Sequence, residues 1–332
     1  SCAAYGYEPA ERRLYFRCGN CGHDGTVVVG EDFCGKLIWK VNWALRWHAD
    51  QVSLEFSGKN QLCAGGSYDA AARIAAEVFG GIPPLNAAYE FIGAPGIQKL
   101  SGRLGTRFLA QTVSGAVEAP LIRWLLLKER PEKPLCIDMA RNLAGLYREW
   151  DAFCAAYGGS AEGNGSVHRR IYTAAAGLEY TNCFVSFEKL TEIAVNSCGS
   201  KKLARKEAKK LGGAVISSAL AERLRCAQHY IAQYHPERCF RIRIQPDTAF
   251  AETCAPQCRA AMRVFRRGIR RSVSAEVVSS ALAAAAGTSA MLPKRELCRA
   301  LYRLLISEDS GPPLSRVLAA AGIRQAQKLL NI

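Results

Sequence analysis

Apolar positions alternate with polar ones near the start of the chain and recur every three to four residues over much of the remainder. The segments LYFRC and GTVVVG show the alternation, and they flank a turn between Cys18 and Cys21. Short alternating segments of this kind are typical of strands that have one buried face. The pattern therefore predicts a small β-hairpin module over residues 1–36.

In the next part of the chain, helical spacing and short apolar runs follow one another, as in an α/β fold. The segment YDAAARIAAEVFG predicts a helix over residues 68–80, which stops at Gly80 and Gly81 with prolines just beyond. Residues 88–92, AYEFI, predict a strand, and the loop IQKLSGRLG follows at 97–105. Such a loop is where α/β folds bind nucleotides, because backbone N–H groups and a helix N-terminus face the crevice there.

From about residue 116 to the end, the pattern predicts helices almost exclusively. Ala-rich and Leu-rich segments alternate with clusters of Gly, Pro, Asn and Ser, which favour breaks between helices. These breaks are GGSAEGNGS at 158–166, CGS at 198–200, YHPE at 234–237 and GPP at 311–313. No repeat of fixed period accompanies them, so the expected fold class is α/β followed by all-α.

The cysteines raise the question of a metal site. The chain has 14 of them, scattered along its length, and we expect mostly reduced thiols in a cytoplasmic protein. Cys18 and Cys21 form a C-x-x-C knuckle, a spacing that directs two thiolates at one zinc ion. Cys2 is the candidate third ligand, and either His23 or Cys34 is the fourth. The alternative is a metal-free hairpin, because CAAY stands where a second C-x-x-C is expected.

The charge of the chain indicates a polyanionic partner such as a nucleic acid. The formal net charge is +15, and residues 200–299 alone hold 20 Lys and Arg against 7 acids. KKLARKEAKK and RVFRRGIRR supply much of this excess, and on helices they form basic faces suited to a phosphate backbone. The alternative is an ordinary solvated face. No membrane segment is expected, since a span needs about 18 consecutive apolar residues.

Five segments carry a resemblance to a known family. They are GKLIWKVNWALRW (35–47), FSGKNQLCAGGSYDAA (56–71), YEFIGAPGIQKLSGRLG (89–105), IRWLLLKERPEKPLCID (122–138) and LYRLLISEDSGPPLSRVLAA (301–320). In order and spacing they resemble the class I lysyl-tRNA synthetases. The corresponding family blocks are K-L-x-W-[KR]-V-D-W-x-x-R-W, G-K-D-H, Y-E-F-[IV]-G leading to K-M-S-x-S-K-G, R-P-x-K-x-x-x-[IF]-D, and the terminal helices. The resemblance covers nearly the whole chain and is weakest around 155–290.

The resemblance implies a Rossmann-type catalytic domain with a zinc-ribbon-like insertion, followed by helical stem and anticodon-binding domains. On this basis residues 1–36 are the insertion and residues 37–118 the remaining part of the catalytic domain, with a K-M-S-K-S-like loop. Residues 119–157 are the helical stem, and residues 158–332 are a basic, all-helical tRNA-binding region. The family's H-x-G-H or H-x-G-N signature is absent, so we expect an N-terminally truncated piece of a longer parent.

The resemblance also implies an ATP site. In class I synthetases the K-M-S-K-S loop places lysine ammonium groups on the ATP phosphates during amino acid activation. Lys99 and Ser101 match this loop as candidate catalytic residues. Together with Gly102 they are the candidate ATP-phosphate site, with Mg2+ as the accompanying ion. The second lysine of the motif is Leu104 here, which removes one charge contact, and Arg103 stands beside it.

Four further positions are implied as the lysine pocket. Trp39 and Tyr89 match aromatic positions that flank it, and an aromatic wall suits an aliphatic stem that ends in a cation. Asn60 and Gln61 stand in the G-K-D-H block, where an acid and an imidazole have become two neutral amides. The alternative for Trp39 is a core position, because tryptophans at 39, 43 and 47 share one helix face. For positions 43 and 47 we expect the core.

These observations favour a lysine–tRNA ligase homologue, with tRNA and lysine as partners and no oligomeric state predicted. The intact parent would form lysyl-adenylate from ATP and transfer lysine to tRNA. We expect the 332-residue chain alone to be inactive, since it lacks the H-x-G-H half of the site. The alternative is a catalytically inactive tRNA-binding paralogue. A third interpretation, an amino-acid-activating enzyme of secondary metabolism, requires a complete ATP site.

Overall fold

The structure of the chain is a computed structural model that describes residues 2–30, 35–101, 110–159, 166–177, 180–213, 216–288 and 292–331. These residues form two compact units, which we name the N-terminal unit (Ser1–Glu90) and the C-terminal unit (Phe91–Ile332). Of the helices in these ranges, none combines the length and the apolar composition that crossing a membrane requires. The α/β part of the chain precedes a helical part, as predicted.

The N-terminal unit begins with a three-stranded antiparallel sheet. Its strands β1 (Cys2–Glu8), β2 (Arg13–Cys18) and β3 (Asp24–Val28) pair in the order β1-β2-β3. Gly22 lies in the turn between β2 and β3 at φ 72°, a left-handed backbone conformation that glycine adopts without steric cost. The predicted hairpin is confirmed, and β1 adds a third strand to it.

The remainder of the N-terminal unit is a two-stranded parallel sheet with two helices. Strands β4 (Leu54–Gly58) and β5 (Leu85–Tyr89) pair in parallel, and helix α2 (Ser67–Glu77) lies between them in the chain. Helix α1 (Trp39–Ala49) precedes β4 and packs on α2. The two helices enclose a small core, whose buried residues are Trp43, Ala44, Trp47, Ala71 and Ala75.

Helix α2 confirms the helix predicted over residues 68–80, although its end lies earlier than predicted. Val78 is the C-cap, and the chain turns at Gly80, which has φ 61°. The backbone N–H of Gly81 then donates to the carbonyl of Ala75 at 2.9 Å, which satisfies one of the carbonyls left free at the helix end. Gly80 is therefore the cause of the stop, as the sequence indicates.

The β4–β5 sheet turns a polar face towards the helices. Trp47 donates its indole N–H to Glu55 Oε2 at 2.8 Å, and Asn86 donates its amide to Ser57 Oγ at 2.9 Å. Alternate residues point to opposite faces of a strand, so the other face carries the apolar side chains. These are exposed, and Phe56 is 63% accessible to solvent. This arrangement is unusual, because parallel sheets are normally covered on both faces.

The C-terminal unit opens with a second parallel pair, β6 (Ile92–Gly93) and β7 (Leu135–Cys136). The single strand predicted over residues 88–92 is therefore wrong, because β5 ends at Tyr89 and β6 begins at Ile92 with a different partner. Alternation along one segment does not reveal which distant strand each half pairs with. Everything else described in this unit is helical or irregular.

Seven helices form the first helical cluster of the C-terminal unit, with one buried apolar core. They are α3 (Ala110–Ala116), α4 (Ala119–Leu127), α5 (Leu143–Tyr157), α6 (Val167–Ala176), α7 (Phe187–Asn196), α8 (Lys201–Gly212) and α9 (Ser218–Tyr234). Four of them begin at a serine whose hydroxyl accepts a backbone N–H bond from the first turn. Such a cap is worth about 1 kcal/mol, which explains why helices start at the Ser-containing breaks.

Five helices form the second helical cluster, around a separate apolar core. They are α10 (Thr248–Thr253), α11 (Pro256–Gly268), α12 (Ala275–Ala286), α13 (Lys294–Ile306) and α14 (Leu314–Leu329). Helix α14 is interrupted at Gly322, whose φ of 74° is incompatible with a continuous helix. The predicted breaks at 198–200 and 311–313 lie between helices, and the break at 234–237 begins at the last residue of α9. Of the break at 158–166, residues 160–165 lie outside the described residues.

A buried ion cluster connects helices of the first helical cluster. Arg223 on α9 is fully buried and donates from Nε to Glu118 Oε2 at 2.9 Å and from Nη1 to Asp151 Oδ2 at 2.9 Å. Its guanidinium also lies 5.0 Å from the ring centroid of Tyr147, whose hydroxyl accepts the backbone N–H of Glu118. Burial raises the pKa of Glu118, and the charge of Arg223 opposes that shift. We name these four residues the Arg223 cluster.

Candidate functional site

Lys99 and Ser101 lie in a loop that follows β6. The loop is held by a backbone N–H bond from Leu100 to the carbonyl of Ile92 at 2.8 Å. Gly93 allows its close approach, because a Cβ at that position would lie 2.5 Å from the carbonyl oxygen of Ile97. The prediction that this loop follows a strand is confirmed. Its second half, including the candidate phosphate residue Gly102, lies outside the described residues.

The ammonium of Lys99 lies over an aromatic ring. Its Nζ is 4.4 Å from the ring centroid of Phe91, and no carboxylate in the described part of the chain pairs with it. Lys99 and Ser101 are both exposed. An exposed cation is attracted to an aromatic ring by only about 0.5–1 kcal/mol, so this ammonium can leave the ring for an anionic ligand at small cost.

Three tryptophans form a stack along α1, as the spacing predicts. The ring centroids of Trp39 and Trp43 are 5.2 Å apart, and those of Trp43 and Trp47 are 4.8 Å apart. Trp43 and Trp47 are buried, which confirms the expectation that they belong to the core. Trp39 is 51% exposed at the first position of the helix and is therefore the outer end of the stack. A ring in this position can contact a ligand.

The C-terminal ends of β4 and β5 meet at one edge of their sheet, because Gly58 pairs with Tyr89. The residues that follow β4 form a 3-10 turn over Lys59–Gln61, in which Asn60 is exposed and Gln61 half-buried. Tyr89, at the end of β5, is 46% exposed. We name this edge the carboxyl edge, and it brings Asn60, Gln61 and Tyr89 close in the fold. In parallel sheets, ligands bind outside such edges.

The sequence analysis missed an ion pair at the carboxyl edge. Lys59 Nζ lies 2.6 Å from Glu90 Oε1, and the Glu90 side chain is only 18% exposed. A signal for this pair exists in the sequence, because the GK and YE dipeptides each stand at the end of a strand. Once β4 and β5 are aligned in register, the residues after Gly58 and Tyr89 are neighbours. The charge at this edge is therefore carried by Lys59 and Glu90, next to two neutral amides.

The three candidate zinc ligands lie at one end of the antiparallel sheet. Cys2 pairs directly with Cys18 across β1 and β2. The backbone N–H groups of Cys21 and Asn20, and the thiols of Cys21 and Cys2, hydrogen-bond to Cys18 and lower the pKa of its thiol to about 7. The contact with Cys18 in turn raises the pKa of Cys2. The Cys18 thiol is thus substantially ionised at neutral pH.

These thiols do not amount to a metal site in the described residues. Within those ranges, no group of three or more His, Cys, Asp or Glu side chains could hold a metal ion. The ring centroid of His23, one candidate fourth ligand, lies 6.4 Å from that of Phe16. Cys34, the other candidate, lies outside the described residues. A structural zinc needs four ligands, so the predicted zinc ion is not supported.

Helix α8 carries a dense row of cations, namely Lys201, Lys202, Arg205, Lys206, Lys209 and Lys210. The helix packs through Ala204 and Ala208, which are fully buried, so these cations point away from the core. Lys210 is neutralised because its Nζ lies 2.7 Å from Glu207 Oε1. Arg316 of α14 reaches the other oxygen of the same carboxylate at 2.8 Å. Glu207 is the only acid on this helix.

The remaining cations of α8 divide into two groups. Lys202, Lys206 and Lys209 form an exposed ridge opposite the buried alanines, and we name them the outer lysines. Lys201 and Arg205 border a cavity of about 220 Å³ between α8 and α9. No acid in the described ranges pairs with any of these five side chains. Like charges at helical spacing repel one another, so this row favours an anionic partner over an empty surface.

Helix α11 presents a second basic surface. Phe265 is buried, while Arg263 and Arg267 on the opposite side are exposed. Arg266 between them donates from Nε to the carbonyl of Gln327 at 3.1 Å. The prediction that RVFRRGIRR forms one basic helix face is right for its first part only, because the helix ends at Gly268. The exposed arginines are nevertheless grouped on one side of α11.

Comparison with known protein families identifies the one to which the chain belongs. A family model described as tRNA synthetases class I (K) matches residues 2–177, which is more than half of the chain. The match defines the class of protein as a class I aminoacyl-tRNA synthetase. Within that class, the chain belongs to the lysyl-tRNA synthetase family. The resemblance inferred from the five sequence blocks is therefore confirmed.

Two lysine–tRNA ligases are similar to the chain over most of its length. The chain is 27% identical over 347 residues to the lysine–tRNA ligase of Streptomyces coelicolor, covering 98% of this chain and 60% of that protein. It is 28% identical over 329 residues to the lysine–tRNA ligase of Pyrococcus furiosus, covering 92% and 60%. A solved structure of a glutamate–tRNA ligase from Elizabethkingia meningosepticum aligns at 15% identity with a TM-score of 0.38, covering 97% and 66%. The chain thus spans about 60% of the length of the two lysine–tRNA ligases.

Proposed function

We propose that the protein is a lysine–tRNA ligase, which joins lysine to ATP as lysyl-adenylate and then transfers the lysyl group to tRNA. Support comes from the family to which the chain belongs and from relatives that carry this name. The observation that carries the proposal is the carboxyl edge, where the blocks G-K-N-Q and Y-E-F meet. Open α/β sheets bind their ligands at such edges.

Lys99 is the cation that we assign to the ATP phosphates. In adenylate formation the amino acid carboxylate attacks the α-phosphorus, a new P–O bond forms, and pyrophosphate leaves. Negative charge on the phosphate oxygens must be offset, in part by Mg2+ and in part by protein cations. Lys99 can move from the ring of Phe91 to the phosphates, and Ser101 supplies a hydroxyl donor. Gly102, which has no Cβ, completes this assignment as the third candidate phosphate residue.

The carboxyl edge is the part of the lysine pocket that we assign to this chain. Trp39 and Tyr89 supply exposed aromatic rings for the aliphatic stem of the amino acid. Asn60 and Gln61 supply amide oxygens that accept hydrogen bonds but carry no charge. The acid of this edge is Glu90, whose carboxylate is held by Lys59. We therefore expect recognition of the lysine ammonium to depend on neutral hydrogen bonds at this wall.

The experiment that tests the ligase proposal uses the full product of the gene. We expect lysine-dependent exchange of pyrophosphate into ATP and formation of lysyl-tRNA. Lys99→Ala should lower kcat by a factor of about 100 to 1000, the effect of losing one charge-stabilising donor. Lys128→Ala is the matched control, because its ammonium lies on Glu149 at 2.9 Å in the helical part. Exchange without lysine, or exchange that Lys99→Ala leaves unchanged, would contradict the proposal.

A second candidate function is a tRNA-binding paralogue without catalysis. The observations that favour it are the loss of the second lysine of the K-M-S-K-S loop, now Leu104, and the neutral amides Asn60 and Gln61. This protein would bind tRNA and leave ATP–pyrophosphate exchange at background. The 332-residue chain expressed alone, which has no H-x-G-H motif, is expected to behave in the same way.

The helical part is the region that we assign to tRNA. We propose that residues 119–157 form the stem and residues 158–332 the anticodon-binding region, with residues 1–36 as an insertion in the catalytic domain of 37–118. The outer lysines and the arginines of α11 support RNA as the partner, because no acid in the described part of the chain pairs with either set. The cytoplasmic location inferred from the cysteines stays a prediction.

A further inference from the structure

The loop of residues 180–186 presents one phenylalanine to solvent from a fixed backbone. Phe184 is 96% exposed, although Cys183 beside it is buried. Arg223 donates from Nη1 to the carbonyl of Cys183 at 3.0 Å and to that of Val185 at 3.3 Å. The backbone is therefore anchored on both sides of Phe184 by a buried cation. Single exposed apolar residues are common, but this one also stands at the rim of a cavity.

The cavity has a volume of about 520 Å³, and its lining includes three aromatic rings and one amide side chain, that of Asn182. We name it the Phe184 cavity. Tyr172 and Tyr180 supply two further rings. Trp150 donates its indole N–H to the hydroxyl of Tyr180 at 3.0 Å, and this hydroxyl lies 3.4 Å from Asn182 Oδ1. No described residue accepts a hydrogen bond from the amide nitrogen of Asn182. The lining thus combines stacking surfaces with an amide donor that a ligand can use.

The charged groups at the Phe184 cavity favour an anion beside the cavity over an anion within it. The one carboxylate of its lining, Asp151, is paired with Arg223 at 2.8 Å. Arg169 of α6 donates to the carbonyls of Tyr157 and Gly159 and lies 5.3 Å from the ring centroid of Tyr172. Arg169 is not part of the cavity lining, but it contacts Gly159 and Tyr172, which are. The carboxylate of the lining is therefore paired, and one cation with neutral partners among the described residues lies beside the cavity.

An unstacked nucleobase has the chemistry that this arrangement recognises. A base offers two flat faces for aromatic rings, an edge of donors and acceptors for an amide, and a phosphate on either side for cations. An inorganic phosphate would leave the rings unused, and an aliphatic side chain would leave the amide unused. The volume is ample for a single base. The rings and the amide of the Phe184 cavity, with Arg169 beside it, match these three parts of one nucleotide.

We propose that the Phe184 cavity receives one unstacked base of a bound RNA. The base stacks on Phe184, its edge accepts a hydrogen bond from Asn182, and Arg169 attracts the neighbouring phosphate. The inference rests on the proposed function in one respect, since it takes RNA as the partner. It goes further by assigning a base-recognising site outside the carboxyl edge and outside the basic surfaces of α8 and α11.

The test compares two RNAs of similar length, a folded tRNA transcript with unpaired bases and a blunt-ended duplex without them. Phe184→Ala should raise the Kd for the tRNA by a factor of about 5 to 150, which corresponds to about 1–3 kcal/mol for one base–aromatic stack. The Kd for the duplex should stay the same. Leu126→Ala on α4 is the matched control, because it also removes an exposed apolar side chain.

Two further measurements make the test specific. Phe184→Tyr should restore tRNA affinity, because it returns a ring of the same shape. The slope of log Kd against log salt should be the same in Phe184→Ala and in the unsubstituted chain, because no cation is removed. Thermal unfolding should be unchanged as well, since the Phe184 ring is almost fully exposed.

The outcomes separate this proposal from the proposed function. If the unsubstituted chain binds tRNA with a steep salt dependence and Phe184→Ala binds it equally well, only the base-binding proposal is wrong. Equal weakening of tRNA and duplex binding also overturns it, because a duplex has no free base. Loss of self-association in Phe184→Ala, with RNA affinity unchanged, would make this surface a protein contact instead. If the unsubstituted chain binds neither RNA, the proposed function fails together with it.

Discussion

The N-terminal and C-terminal units differ in what they bury. The N-terminal unit packs α1 on α2 around two tryptophans and three alanines, and it keeps the apolar side chains of Leu54, Phe56 and Leu85 exposed. The C-terminal unit has two extensive apolar cores, and one of them holds an ion cluster around the fully buried Arg223. The charges of the N-terminal unit, by contrast, lie at its surface, and Lys59 with Glu90 is the least exposed of the ion pairs among its described residues.

This difference indicates where each unit is sensitive to substitution. In the C-terminal unit a single buried cation neutralises two carboxylates. Its loss would leave those carboxylates without a counter-ion and destabilise the fold. In the N-terminal unit the core is small, and one candidate lysine-pocket residue, Trp39, stacks on its buried Trp43. Four substitutions or treatments test this comparison, and they follow in order of expected effect.

Arg223→Met should have the largest effect on stability. It leaves Glu118 and Asp151 without their common partner, and breaking a buried ion pair costs about 3–5 kcal/mol. Urea unfolding followed by circular dichroism measures the change. Adding Glu118→Gln to Arg223→Met should recover part of the loss, because one buried charge is then removed. Arg148→Met, at an exposed pair with Glu188, is the control and should cost less than about 1 kcal/mol.

Trp47→Phe should destabilise the N-terminal unit by about 1–3 kcal/mol, because Glu55 loses the indole N–H that it accepts in a partly buried site. Hydrogen exchange of the amides in α1 and α2 reports the loss within this unit. Trp39→Phe, at the exposed end of the same stack, should change the opening free energy measured by amide exchange by no more than about 0.5 kcal/mol. Equal effects of the two substitutions would mean that the stack, rather than the hydrogen bond, holds the helices.

Replacing the outer lysines by glutamine should weaken tRNA binding and its dependence on salt. Three lost phosphate contacts should reduce the slope of log Kd against log salt by about 2 to 3, since each contributes about 0.7 to 0.9. Lys210→Gln is the control, because Glu207 already neutralises this ammonium, and it should leave the slope nearly unchanged. A slope that is flat before any substitution would contradict RNA binding by this surface.

The smallest predicted effect concerns the reactivity of the Cys18 thiol. Because hydrogen bonds lower the pKa of Cys18 to about 7, its thiolate fraction rises through neutral pH, earlier than in an ordinary thiol. The rate of alkylation by iodoacetamide at this residue should therefore be half-maximal near pH 7, as read by peptide mass spectrometry. In urea the midpoint should move up to about 8.5, the value of an unperturbed cysteine. An unchanged midpoint would show that the folded turn does not stabilise the thiolate.

Local features of the fold were predictable because their causes are local. The hairpin at 1–36, the stop of α2 at Gly80 and the breaks between helices follow from alternation, glycine conformation and serine caps. The division of residues 88–92 between two sheets was not predictable in this way. It depends on pairing of Leu85 with Leu54 and of Ile92 with Leu135, and no pattern within one segment specifies either partner.

The candidate site shows the same limit. The positions of Trp39, Tyr89, Asn60 and Gln61 came from motif order, and the register of β4 and β5 is what brings the last three together. Glu90 was missed because its role depends on Lys59, which is distant in sequence. The predicted zinc ion lacks support because spacing identifies two thiols, whereas the complete ligand set depends on how separate segments fold.

The Arg223 cluster also bears on the order in which the chain assembles. Its guanidinium contacts Glu118 across a sequence separation of 105 residues and Asp151 across 72. During synthesis both carboxylates leave the ribosome well before their common counter-ion. Docking of α4 against α5 ahead of that moment would desolvate two uncompensated anions. We therefore expect closure of this bundle to follow the synthesis of α9, which supplies the common counter-ion.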